Sequence, residues 1–356
     1  MLTGIAITSI VVCFVLFIIL FIWLYAIAEK QEEKNKKSKE SHRRIAEMLG
    51  AIIDSPTNTS QSDEIYVLSS FIDKDKHERI DILSNILIEG LLTDAEDERG
   101  RKALFMVFEL LKPQLHYSKM LRKGTANEKA YACKMLSAFY QVNEIPEIRK
   151  YIFDKNKELS YNASLAISIL GDEDCLVKLI DSYKTNYDYS HRIILELFRI
   201  YSGDIRLLAI RCLENSNNYI KASIFKAVAK YKIVEFEIHY LYGAQDRDPN
   251  IRVASIKALC EIGNPKYEQT LINAAQDTMW YVRSTAVKGL GKINTVNSRR
   301  ALLDAVRDNE WWVRYNAAHT LVSMDGGLEM AEKVIGGYDK FAADAVKFAL
   351  YKTYNI

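Results

Sequence analysis

The sequence predicts an all-α protein: an N-terminal transmembrane helix followed by a solenoid of stacked helical pairs. Three observations predict it. Ile251-Arg252, Val282-Arg283 and Val313-Arg314 recur at steps of 31 residues, and an Asp stands six residues before each Arg. A fixed period of this length marks a repeat array. Residues 5–28 carry no charged side chain. Alternating strand patterns are missing, and only five Pro interrupt the chain, so helical periodicity decides the class.

The apolar run comes first. Ile5 to Ala28 is 24 residues, and at about 1.5 Å per residue such a helix crosses a hydrocarbon core roughly 30 Å thick. Trp23 and Tyr25 fall near its end, where amphipathic rings prefer the interface. A cleaved signal would need a basic start and a shorter apolar core. Residues 29–44 follow with seven Lys and Arg against four Glu. That excess marks the cytoplasmic side. The expected topology is therefore a single-pass membrane protein with its N-terminus outside and the array in the cytoplasm. Three segments result: a transmembrane helix at 1–28, a basic juxtamembrane helix and linker at 29–63, and the repeat array at 64–356. Residues 50–63 are polar and turn-rich, as linkers are.

The array can be traced backwards from its last apolar anchors: Met324, Ile293, Ile262, Tyr231, Ile200, Leu170, Phe139 and Leu110. Counted from the β-branched residue that opens each unit, offsets 0, 4, 7, 8 and 11 share one helical face. A shorter helix precedes each long one, at Tyr267–Gln276, Ser298–Arg307 and Leu328–Ile335. Gly263-Asn264-Pro265, Gly326-Gly327 and Gly336-Gly337 supply the breaks.

The pattern Asp277-x4-Val282-Arg283-x2-Ala286-x2-Gly289-Leu290-Gly291, echoed by Asp308-x4-Val313-Arg314-x2-Ala317, resembles the HEAT-repeat family. Within it, the chain resembles the short bacterial type of phycobilisome-lyase HEAT-like repeats. The resemblance is sharpest over 246–325 and fainter over 97–245, where Lys221 stands in the place of the Arg. It implies a superhelix with the second helix of each pair on the concave side. It implies no single activity, because function resides in sites carried on a fold. Membrane-anchored proteins of this kind resemble companions of polysaccharide-making glycosyltransferases, and the lyase type implies an enzyme acting on a cofactor-bearing protein.

Candidate residues fall into three groups. Arg252, Arg283 and Arg314 with Asp246, Asp277 and Asp308 form a charge ladder. The resemblance implies that it ties neighbouring repeats together, and planar guanidinium forks suit that role. Trp280 and Trp311 occupy equivalent places, and Trp312 follows; packing and partner anchoring both fit them. On the helical wheel, offsets 2, 6 and 9 point away from the buried stripe. Offset 6 holds Lys226, Lys257, Lys288 and His319, and offset 2 of the last sharp unit holds Tyr315. A lysine row of this kind is either a solvated face or a seat for an acidic partner segment.

Chemistry is poorly supported. The six His show no metal-ligand spacing, and no phosphate loop or nucleophile motif occurs. Gly171-Asp172-Glu173-Asp174 reads as a capping turn. Five scattered Cys form no close pair, which argues against a disulfide or zinc framework. Lys and Arg number 48 against 46 Asp and Glu, a balance unlike that of a nucleic-acid binder. The expectation is a non-enzymatic scaffold with no cofactor and no metal, binding a protein partner that is itself a membrane protein or a membrane-associated enzyme.

Overall fold

The computed structural model describes residues 2–55, 58–73, 76–92, 98–183, 191–214 and 216–354. Among them are twenty α-helices and no strand. In chain order these are α1 (Leu2–Asp54), α2 (Asn58–Asp73), α3 (Lys76–Leu92), α4 (Glu98–Leu111), α5 (Pro113–Lys123), α6 (Ala126–Ala138), α7 (Ile145–Ile148), α8 (Lys157–Ile169), α9 (Glu173–Ser182) and α10 (His191–Ile200). The rest are α11 (Ile205–Glu214), α12 (Asn218–Val228), α13 (Glu237–Gly243), α14 (Pro249–Ile262), α15 (Glu268–Ala274), α16 (Trp280–Ile293), α17 (Val296–Ala305), α18 (Trp311–Val322), α19 (Gly327–Ile335) and α20 (Lys340–Tyr354). The chain divides into two compact units, 1–123 and 124–356.

In the first unit, Ile45, Leu49 and Ile52 near the end of α1 are buried. Their i, i+4, i+7 spacing puts them on one face, and α2, α3 and α4 pack against that helix. Two sequence expectations need correction here. The stretch 50–63 is not a free linker: α1 runs to Asp54 and α2 starts at Asn58. The membrane span at 5–28 is also overturned: among the described residues, no helix is long and apolar enough to cross a membrane. The apolar run is the opening of a 53-residue helix that continues through the charged stretch. The single-pass topology and its inside–outside assignment rested on that span and fall with it.

The second unit is a two-layer stack. Even-numbered helices α6 to α20 contact one another in sequence and form the first layer; the odd-numbered helices lie against them as the second. Local chemistry sets the ends. Asp248 caps α14, with Pro249 at its first position, where the missing N–H costs nothing. Gly263 ends α14 at φ +68°, and Asn294 ends α16 at φ +53°; both residue types tolerate the left-handed conformation. The short helices fall close to their predicted ranges. In α14, α16 and α18, offsets 0, 4 and 8 are buried: Ile251, Ser255 and Leu259; Val282, Ala286 and Leu290; Val313, Ala317 and Leu321. Each large aliphatic among them stabilises the stack by about 1.5–3 kcal/mol relative to exposure.

Candidate functional site

The charge ladder links successive repeats in one direction. Arg252 donates to both carboxylate oxygens of Asp277, Nε at 2.7 Å and Nη2 at 2.8 Å. Arg283 does the same to Asp308 at 2.7 and 2.8 Å. Each Arg also donates backwards, Arg252 to the carbonyl of Asp246 and Arg283 to that of Asp277. Each carboxylate also accepts an amide two residues on, from Met279 or Glu310. The four side chains are only 11–15% exposed. Burial pushes the Asp277 and Asp308 carboxyls up, but these donors outweigh it and hold both below the ordinary range. One repeat earlier, Lys221 takes the Arg's place and reaches Asp246 at 3.1 Å. Arg314 closes the series differently. Its Nη1 donates to the carbonyls of Asp308 and Asn309, and the Phe341 ring lies 5.5 Å from its guanidinium.

Sequence reasoning missed one earlier rung. Arg149 holds Asp172 with a second contact of 2.6 Å from Nη2, and Asp172 also caps α9 through the amide of Cys175. The acidic turn is thus a cap and a rung at once. Its pairing with Arg149 spans 23 residues instead of 25, so the fixed period did not reveal it.

The first-layer face differs from the wheel in one respect. Offset 9 is not open: Cys260 and Val322 are buried, and so is Ser284 at offset 2. Each of α8 to α18 in the first layer is flanked by two others in that layer and backed by the second, so its buried arc is wider than one amphipathic stripe. Ser284 is also used inside the stack, accepting from Asn316 at 2.7 Å. What remains open is a narrow track along offset 6. Lys257, Lys288 and His319 on it are exposed, and Lys226 is half-buried. Offset 10 borders the track with Lys230, Glu261, Lys292 and Ser323, all exposed. Lys292 is engaged with Glu261 at 3.6 Å. Among the described residues, Lys226, Lys257 and Lys288 have no carboxylate within ion-pair distance. Burial and the neighbouring charge of Lys257 lower the Lys226 ammonium below its usual range.

The track runs into aromatic rings. His319 lies 6.2 Å from Tyr315. Tyr315 stacks on Trp311 at 5.2 Å and 6°, and Trp312 meets Trp311 edge-on at 4.7 Å. Phe348 of α20 joins from the other side, 5.8 Å from Tyr315. These rings stay accessible: Trp311, Trp312 and Phe348 are 46%, 53% and 43% exposed. The structure therefore brings Trp311, Trp312, Tyr315 and His319 together, while Trp280 pairs with Tyr281 at 5.6 Å. Phe348 was not singled out from the sequence, because the last unit departs from the repeat pattern.

No group of three or more His, Cys, Asp or Glu suited to a metal ion occurs among the described residues. Burial pushes the thiols of Cys133, Cys212 and Cys260 up to about 12 and that of Cys175 to about 11. Such thiols are poor nucleophiles.

The stacked pairs joined by Arg–Asp rungs define a helical repeat protein. The HEAT repeats family matches residues 240–322, the part where the rungs are most regular. No curated protein matches the chain. Among solved structures, Kap121p bound to Ste12p is similar at 13% identity and a TM-score of 0.46, over 85% of this chain and 40% of that one. A structure of Kap95p with RanGDP is similar at 9% identity and a TM-score of 0.37, over 87% and 55%. Human deoxyhypusine hydroxylase is similar at 14% identity and a TM-score of 0.29, over 78% and 98%. The chain spans about two fifths of the length of the Kap121p chains it matches.

Proposed function

We propose that the chain is a scaffold that holds a protein partner along the first-layer face of α12 to α18. One observation carries this reading: Lys226, Lys257 and Lys288 stand in register on successive helices, without carboxylate partners among the described residues. Several other cations of the same unit are used internally, Arg252 and Arg283 in rungs and Lys266 in a pair with Glu237. A row of unpaired like charges is a cost that an acidic partner would relieve, and it would steer that partner during encounter. An accessory role beside an enzyme, for example the polysaccharide-synthesising glycosyltransferase implied by the family resemblance, is one form of this reading.

The test is partner capture by the immobilised full chain from its source cells, compared with the triple variant Lys226→Glu, Lys257→Glu, Lys288→Glu. Loss of the captured protein with an unchanged unfolding midpoint is the expected result. Equal capture by both proteins would overturn the proposal.

A further inference from the structure

We infer that the partner segment is an acidic stretch followed by an aromatic or large aliphatic anchor, laid with its acidic part over α12–α16 and its anchor on the rings of α18 and α20. This rests on the scaffold reading above and specifies the chemistry and polarity of what that face takes. The argument is one of continuity. The lysine track and the ring cluster are a single surface, because His319 continues the lysine register and touches Tyr315. The two ends differ in character. The α12–α16 end presents ammonium groups without partners. The α18–α20 end presents rings fixed by their own stacking, Trp311 on Tyr315 and Phe348 beside it. Rigid rings that remain 43–53% exposed offer contact area at little entropic cost, which is what interface anchors use.

Dimensions set the length of the segment. Helices packed side by side lie about 9 Å apart. The three intervals from Lys226 to His319 therefore cover about 27 Å, which about eight extended residues span. A carboxylate roughly every third residue meets successive lysines, and the anchor falls just beyond. Balanced total charge, 48 basic against 46 acidic residues, favours an acidic protein segment over a nucleic acid.

The probes are fluorescein-labelled synthetic peptides and the full chain, followed by fluorescence anisotropy at low and moderate salt. One peptide carries spaced Glu residues and a terminal Leu-Trp anchor. A second has the anchor replaced by Ala-Ala, a third has the Glu residues replaced by Gln, and oligothymidylate is the fourth probe. The anchored acidic peptide should bind about tenfold more tightly than the Ala-Ala peptide, and the Gln peptide should fail to bind. Trp312→Ala with Phe348→Ala should abolish the advantage of the anchor while the acidic part still binds. The triple lysine reversal should abolish both. The unfolding midpoint of each variant reports whether the stack is intact, and Phe348→Leu serves as a milder variant if the alanine pair unfolds. Equal affinity with and without the anchor would overturn this inference and leave the scaffold reading standing. Acidic binding untouched by the lysine reversal would overturn both. Tighter binding of oligothymidylate than of any peptide would assign the track to nucleic acid and overturn the inference.

Discussion

At the scale of single residues, the Arg–Asp rungs separate structural charge from available charge. Arg252 and Arg283 are bidentate, largely buried and satisfied on both sides. Removing one partner leaves a buried charge unpaired, so Asp277→Ala should cost about 3 kcal/mol in denaturant unfolding. The exposed pair Arg211–Asp174 is a useful contrast, since Asp174 is 71% exposed and Asp174→Ala should cost far less than Asp277→Ala. Similar losses for the two variants would mean that the ladder does not brace the stack. The rungs also set an acid limit. The Asp277 and Asp308 carboxyls are held below their ordinary range, against burial, by Arg and amide donors. Their stabilisation is therefore complete above the ordinary Asp value of about 3.9 and is lost as pH falls below it. The double variant Asp277→Asn, Asp308→Asn should lose less stability than the wild type between about pH 5 and pH 3, read from unfolding midpoints. The four described thiols form a third test. With pKa values of about 11 to 12, they should react with a disulfide reagent at pH 8 only as fast as the stack opens.

At the scale of helices, the tight points are where the layers meet. A Cβ on Gly243 would run into Ser255 Oγ and the Phe225 ring, and one on Gly289 into Cys260 Sγ. Overpacking of this kind typically costs 1–3 kcal/mol, so Gly243→Ala and Gly289→Ala should each lower the unfolding midpoint. The pair Gly289→Ala, Cys260→Ala should recover part of the loss. No recovery would show that Leu271 Cδ1 or the Cβ of residue 260, not Sγ, sets the limit. Helix existence and phase were legible in the sequence, because Ile251, Val282 and Val313 repeat with their Asp and Leu companions. The breadth of the buried arc was not. A wheel treats each helix as having one neighbour, whereas Cys260 and Val322 are buried on helices, α14 and α18, that are flanked on both sides within the layer. The contribution of α20 was also illegible, since Phe348 reaches the rings of α18 from a unit that departs from the repeat.

At the scale of the chain, two compact units meet at Lys123 and Gly124 in the sequence. Trp280, Trp311 and Trp312 belong to the second, and Trp23 is the fourth Trp. Tryptophan fluorescence should thus follow mainly the second unit, while far-ultraviolet circular dichroism follows both. Non-coincident denaturant transitions are expected, and a single shared transition would mean that the units unfold as one. The apolar opening of the sequence was the most misleading feature at this scale. A run without charge predicts a span by composition alone, but here it is part of a longer helix whose later residues are charged in places and packed at Ile45, Leu49 and Ile52.

The forward reach of the rungs bears on how such a chain grows. Each guanidinium fork meets a carboxylate 25 residues later, and both members recur every 31 residues. A tandem copy of any 31-residue block from this region arrives with a carboxylate for the fork upstream and a fork for the carboxylate downstream. Duplication therefore leaves no unmatched charge at the seams, and whole units can be gained or lost while fractional ones break the register on both sides.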